Sequence, residues 1–83
     1  MIGRSTFNKI NLSTQCNIIV LHGIELGKHF NHDNSIMFLY AYNSFFVEIT
    51  YDEDCLNNVS IQINGFDFDY NRIEKYLNSA TFA

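Results

Sequence analysis

The chain has no proline and no tryptophan, only four glycines, and five cationic side chains in 83 residues. Without proline, no reversal can be preset by a ring, so turns must come from other residues. Eleven asparagines, most of them between apolar runs, fill that role, because Asn tolerates left-handed backbone. Four scattered glycines make no phosphate-cradling loop and no nucleophile elbow, and an HExxH pattern is also missing. Five Lys and Arg against nine Asp and Glu leave a net charge of −4. Nucleic-acid binding is driven by clustered cations at phosphates, so this balance argues against DNA or RNA. The acidic groups are too dispersed for nucleic-acid mimicry, and a basic or neutral protein surface is the better partner.

Cysteine is also scarce. Cys16 and Cys55 have no CxxC spacing and permit one disulfide at most, and a cytosolic protein would keep both reduced. The opening MIGRSTFNKI has no apolar signal-peptide core, and the run Ile18–Leu21 is far too short to span a bilayer. The expectation is a cytoplasmic protein with no membrane contact.

What the sequence does contain is apolar material: 47% hydrophobic and 16% aromatic residues, with eight Phe and five Tyr. That is enough for one core and too little chain for two, so residues 1–83 read as a single domain. Ser13 is placed to cap a short helix to about His22, with Gly23 as its left-handed terminator. The β-branched run Ile18-Ile19-Val20 keeps a strand open as the alternative for residues 14–22. An earlier helical turn can begin at Ser5. Ile24–Phe30 reads as extended, and Asn31-His32-Asp33-Asn34 as a turn.

The central hairpin is the clearest element. With Asn43 and Ser44 as a two-residue loop, Tyr42 faces Phe45, Tyr40 faces Val47, Phe38 faces Ile49, and Ile36 faces Tyr51. Opposed residues share a face, so these eight form one apolar surface. The other face pairs Ala41 with Phe46, Leu39 with Glu48, and Met37 with Thr50. A one-residue slip of either strand would mix the two faces. After a loop over Asp52–Asn58, Val59, Ile61 and Ile63 alternate with Ser60, Gln62 and Asn64, and Gly65 ends the strand. Asp67 or Asp69 caps a terminal helix to about Asn78. Tyr70, Ile73, Tyr76, Leu77 and Ala80 form its apolar stripe, and Arg72, Glu74, Lys75 and Asn78 its wet side. The predicted fold is α+β: an antiparallel meander of three to four strands, with the C-terminal helix and an N-terminal helix packed on one face.

Phe45-Phe46-Val47-Glu48-Ile49, Tyr51-Asp52 and Tyr76-Leu77, with Gly23, Leu26, Leu39 and Tyr40 before them, resemble a group of short uncharacterised bacterial proteins. The likeness covers roughly residues 23 to 77. Thr50 departs from the group, where a bulky aromatic is common. The resemblance implies the fold and carries over no catalytic residue.

Three clusters invite chemistry. His29, His32 and Asp33 have the donor types of a transition-metal site, although His and Asp are also ordinary turn residues. Asp52-Glu53-Asp54 suggests a hard-cation loop, but Leu56 stands where a fifth ligand is needed. Asp67 and Asp69 cannot complete it, because a six-residue strand of roughly 20 Å separates the two groups. Cys16 among apolar neighbours reads as a small core side chain. No catalytic residue, metal ligand or cofactor site is assigned. Apolar Met37, Leu39, Ala41 and Phe46 on the second hairpin face, with Glu48 among them, are the partner-binding candidates, the alternative being that the N-terminal segment folds over them. The expectation is a non-enzymatic module that binds a protein or a second copy there, of inhibitor or immunity type. The alternative is a small metal-dependent enzyme or sensor built on His29, His32 and Asp33.

Overall fold

A computed structural model describes the backbone of residues 1–80 and the side chains of residues 1–77. Two helices open the chain, α1 (Arg4–Lys9) and α2 (Leu12–His22), followed by strands β1 (Ile24–Phe30), β2 (Ile36–Tyr42), β3 (Phe45–Glu53) and β4 (Val59–Phe66). Helix α3 (Tyr70–Ala80) closes it. The strands form one antiparallel sheet in the order β1-β2-β3-β4. The architecture is therefore α+β with a four-stranded meander, as the hydrophobic alternation predicts.

Each hairpin reverses through an asparagine in left-handed backbone: Asn34 (φ 72°), Asn43 (φ 55°) and Asn57 (φ 65°). The short amide side chain makes that conformation accessible without glycine. The β2–β3 register is the one read from the sequence, from Ile36 opposite Tyr51 to Tyr42 opposite Phe45. β4 continues two residues beyond its expected end, pairing Gly65 with Val47 and Phe66 with Phe46.

Asn11, not Ser13, caps α2: its Oδ1 accepts from the Thr14 amide at 2.8 Å. Residues 14–22 are helical despite their β-branched run, because Ile19 is buried in the core and Gln15 Nε2 donates to the Phe7 carbonyl at 2.8 Å. Tertiary packing overrides local propensity here. Gly23 follows at φ −78°, so it is not a left-handed terminator. It is glycine for space: a Cβ there would lie 2.7 Å from the Ile19 carbonyl oxygen.

Helices α1 and α2 cover one end of the fully apolar face. Phe7 and Ile19 pack on Tyr42, Phe45 and Val47, with Tyr40, Ile49 and Ile63 at the margin. Phe7 and Val47 are completely enclosed, each burial contributing roughly 2–3 kcal/mol. The Ile2 amide donates to Tyr42 Oη, and Asn43 Nδ2 donates to the Ile2 carbonyl, tying the N-terminal stretch to the β2–β3 turn.

Helix α3 takes the opposite face, which corrects the expected placement of all helices on one side. Tyr76 packs with Leu39 and Phe66, flanked by Met37, Phe46 and Ile73. Asp69 starts the helix, its carbonyl and carboxylate accepting from Arg72 and Asn71, soon after Phe66 leaves the sheet. Gly27, opposite Leu39 in the sheet, lies close to Tyr76: a Cβ at position 27 would meet the Tyr76 Cβ at 3.7 Å, an ordinary contact distance. Tyr70 and Leu77 from the predicted stripe remain exposed, and the side chains of Asn78 and Ala80 lie outside those described.

Candidate functional site

The hairpin residues expected to bind a partner lie beneath α3. Leu39 is 2% exposed and Glu48 4%, while Met37, Ala41 and Phe46 are half-buried. The chain's own C-terminal helix therefore occupies much of the surface assigned to a partner. Glu48 does meet cations, and they are internal. Arg72 donates to its Oε1 through Nη2 at 2.6 Å and Nε at 3.1 Å. Lys75 Nζ lies 3.1 Å from Oε2, and Tyr76 Oη donates to that oxygen at 2.7 Å. The Arg72 guanidinium also lies over the Phe66 ring, its Cζ 4.1 Å from the centroid. The sequence places Arg72 and Lys75 on the wet side of the helix, because a long cationic side chain there is usually solvated. A carboxylate at the centre of a sheet face is the signal that could have claimed them.

This cluster has the residue types of general acid–base chemistry, but its groups are engaged with one another. Burial would raise the Glu48 carboxyl, and hydrogen bonds from Tyr76, Arg72 and Lys75 outweigh it and hold the group below its ordinary range. Burial, then the Glu48 hydrogen bond and charge, push the Tyr76 phenol well above its ordinary range. A carboxylate fixed as an anion and a phenol fixed as a donor suit a clamp rather than proton transfer near neutral pH.

The other clusters disperse. His29 stands in β1 with its ring edge-on to Tyr76, 6.3 Å between centroids, while His32 is exposed in the turn. The Asp33 carboxylate accepts from both the amide and the hydroxyl of Ser35. Among the described residues no three His, Cys, Asp or Glu are grouped to hold a metal ion. Asp54 is turned inward on its own loop, accepting from Leu56 and Asn58. β4 separates it from Asp67, which pairs with Arg4 at 3.3 Å. A broad open depression of about 730 Å³ lies beside that pair, rimmed by Asn8, Phe68, Tyr70 and Arg72. Its two arginines are held by Asp67 and Glu48.

What stands open is the far half of the apolar face. Register places residues of that face in rows across the sheet. The row Glu25–Tyr40–Val47–Gly65 lies near the helices, and Lys28–Phe38–Ile49–Ile63 lies at their margin. Beyond them come Phe30–Ile36–Tyr51–Ile61 and then Glu53–Val59. Phe30 is 67% exposed, Val59 53% and Ile61 37%, with Ile36, Phe38 and Tyr51 half-buried among them. Lys28 reaches over Phe38, 5.7 Å from the ring centroid, and Tyr51 Oη donates to Glu53 at 3.5 Å. The surface is a run of aromatic and aliphatic groups with one cation and one anion at its rim. The alternation that defines this face in the sequence does not show where the helices stop covering it.

No family model, curated protein or solved structure matches the chain. Among the described residues, no helix is long and apolar enough to cross a membrane.

Proposed function

We propose that the chain is a small non-enzymatic binding module whose ligand is a protein surface, docked on the open half of its apolar face. One observation carries this: Phe30, Ile36, Phe38, Tyr51, Val59 and Ile61 continue the core's own face past the edge of the helices. Scattered apolar residues on a surface need no purpose, whereas a contiguous apolar patch with aromatic centres and a polar rim has the make-up of an interface. The expected inhibitor or immunity-type role fits this surface better than the face beneath α3. A reducing, cytoplasmic setting belongs to the same reading and agrees with the unpaired thiols of Cys16 and Cys55.

The test is surface-directed. Ile61→Asp and Phe30→Asp place charge on the open half without touching the helix-covered core. Both variants are expected to keep the native circular dichroism spectrum and to lose a protein captured by the wild type, or lose self-association. Retention of every interaction by both variants would refute this assignment of the surface.

A further inference from the structure

Asn64-Gly65 is the one Asn–Gly pair in the chain, and it lies in β4 where Asn8 bonds to the sheet edge. We infer that this pair is a latent self-modification site, a deamidation centre whose reaction Asn8 holds in check. Asparagine followed by glycine is the pair most prone to this chemistry, because glycine has no side chain to shield its nitrogen and its backbone turns freely. The Gly65 nitrogen gives up its proton and attacks Asn64 Cγ. The Cγ–Nδ2 bond breaks and ammonia leaves with that proton, closing a cyclic imide. Water then opens either imide C–N bond, leaving aspartate or an isoaspartate whose main chain runs through Cβ. Water is the sole co-reactant, and nothing is oxidised or reduced.

The fold blocks this path at its first step. Ring closure needs the Gly65 nitrogen to turn toward the Asn64 side chain, which the extended backbone of a strand does not allow. The Gly65 amide is also engaged, donating to Asn8 Oδ1 at 2.7 Å, while the Gly65 carbonyl accepts from Asn8 Nδ2 at 2.9 Å. β4 is an edge strand, so on this side Asn8 stands where a neighbouring strand would otherwise supply those bonds. The Asn64 side chain is exposed, and an opened edge leaves its Cγ free to react. Space requires the glycine: a Cβ at position 65 would lie 3.0 Å from the Phe45 ring and 3.1 Å from Asn8 Oδ1. The packing that closes the edge therefore brings the reactive pair with it.

Position 64 also determines what the reaction does to the fold. It faces Glu48 across the β3–β4 ladder and lines the same depression as Arg72. An aspartate there sets a second carboxylate beside the one that Arg72 and Lys75 hold. An isoaspartate adds a carbon to the main chain of β4, so Gly65 leaves the position that matches Asn8 and α1 loses this tie to the sheet. Loss of ammonia makes the change one-way.

The experiment follows deamidation by peptide mapping and mass spectrometry at one mildly alkaline pH. It compares folded wild type, urea-unfolded wild type, Asn8→Ala and Gly23→Ala, with circular dichroism confirming each fold. Asn8 is exposed, and Asn8→Ser takes the place of Asn8→Ala should that variant unfold. In the unfolded chain Asn64 is expected to convert ahead of every other asparagine. Folding should slow that conversion roughly a hundredfold or more, and Asn8→Ala should convert at least about tenfold faster than folded wild type. Gly23 lies at the start of β1, at the opposite edge of the sheet. Gly23→Ala should therefore stay within about threefold of wild type, although it weakens the fold. Asn8→Ala converting no faster than wild type overturns the inference. Gly23→Ala converting as fast as Asn8→Ala also overturns it, because the protection then belongs to the fold as a whole. Another asparagine leading in the unfolded chain removes the site itself.

Discussion

The Tyr76 hydroxyl donates to Glu48 Oε2 at 2.7 Å, joining the C-terminal helix to the middle of the sheet. Arg72 and Lys75 close on the same carboxylate from the same helix, so three side chains hold α3 in one position. Hydrophobic burial alone would let a helix slide over Leu39, Met37 and Phe46, and the directional contacts fix where it stops.

Removing that carboxylate is expected to be costly. Glu48→Ala leaves a cavity, an unsatisfied Tyr76 hydroxyl and two cations without their anion, for a loss of about 3 kcal/mol. Arg72 is 39% and Lys75 32% exposed, so both can turn to water, and Glu48→Met, which refills the space, should lose less. Urea unfolding midpoints give the ranking, and equal stability of wild type and Glu48→Ala would refute the clamp.

The same pair contributes to both limbs of the pH profile. The Glu48 carboxyl is held below its ordinary 4.5, so the folded chain binds that proton less readily than the unfolded one. Its stabilisation is complete above the unfolded value and fades as pH falls through the folded one. Asp33, held low chiefly by the Ser35 hydroxyl, and Asp54, held low chiefly by the Asn58 amide, act in the same direction. The Tyr76 phenol is raised above 10.0, so its contribution is complete below that pH and fades above it. Glu48→Gln should flatten the acid limb and Tyr76→Phe the alkaline limb, read as unfolding free energy against pH. An acid limb that Glu48→Gln leaves unchanged would assign it to other carboxylates.

Leu39→Ser separates two accounts of the hairpin. Were the residue at a solvent-facing contact surface, the change would spare the fold. At 2% exposure beneath Tyr76 it should destabilise by about 3 kcal/mol or more, at least matching the effect of Val47→Ala on the opposite face. Thermal melts of the two variants report this directly, and a Leu39→Ser melt matching wild type would place α3 elsewhere.

The sequence made the sheet legible because alternation has a period of two and only one register keeps Tyr40, Val47, Phe38 and Ile49 together. It also showed that the second face was too apolar to be bare. It did not reveal which helix would cover that face, since an apolar stripe on α3 fits either side of a sheet. The deciding interactions were Glu48 with Arg72 and Lys75, residues 24 and 27 positions apart, whose side chains read as solvated when taken one element at a time. The extent of the open half-face depends on helix length and placement, which local pattern does not encode.

Gly23 illustrates a related gap, because terminal glycine suggests positive φ and the backbone here is ordinary. A Cβ would meet the Ile19 carbonyl oxygen at 2.7 Å and the Ile19 Cγ2 at 2.9 Å. Gly23→Ala should therefore cost about 1–3 kcal/mol through forced movement at the α2–β1 junction. Gly3, with open space around its Cα, should accept alanine with little change. Comparable melting temperatures for the two alanine variants would show that the junction yields freely.

Asn8 closes the outer edge of the sheet. Its Nδ2 donates to the Gly65 carbonyl at 2.9 Å, and its Oδ1 accepts from the Gly65 amide at 2.7 Å, so one side-chain amide supplies both bonds a neighbouring strand would give. β4 is an edge strand, and this contact also fastens α1 to it. Asn8→Ala removes both bonds and should destabilise by about 1–3 kcal/mol, with faster hydrogen exchange at the Gly65 amide. Asn8→Asp keeps the acceptor for that amide but turns a carboxylate oxygen toward the Gly65 carbonyl. Relative to wild type, the variant's stability should fall above the titration of the introduced carboxyl and recover in acid, once that group is protonated and can donate again. A pH-independent difference between Asn8→Asp and wild type would mean that the donor half of the pair contributes nothing.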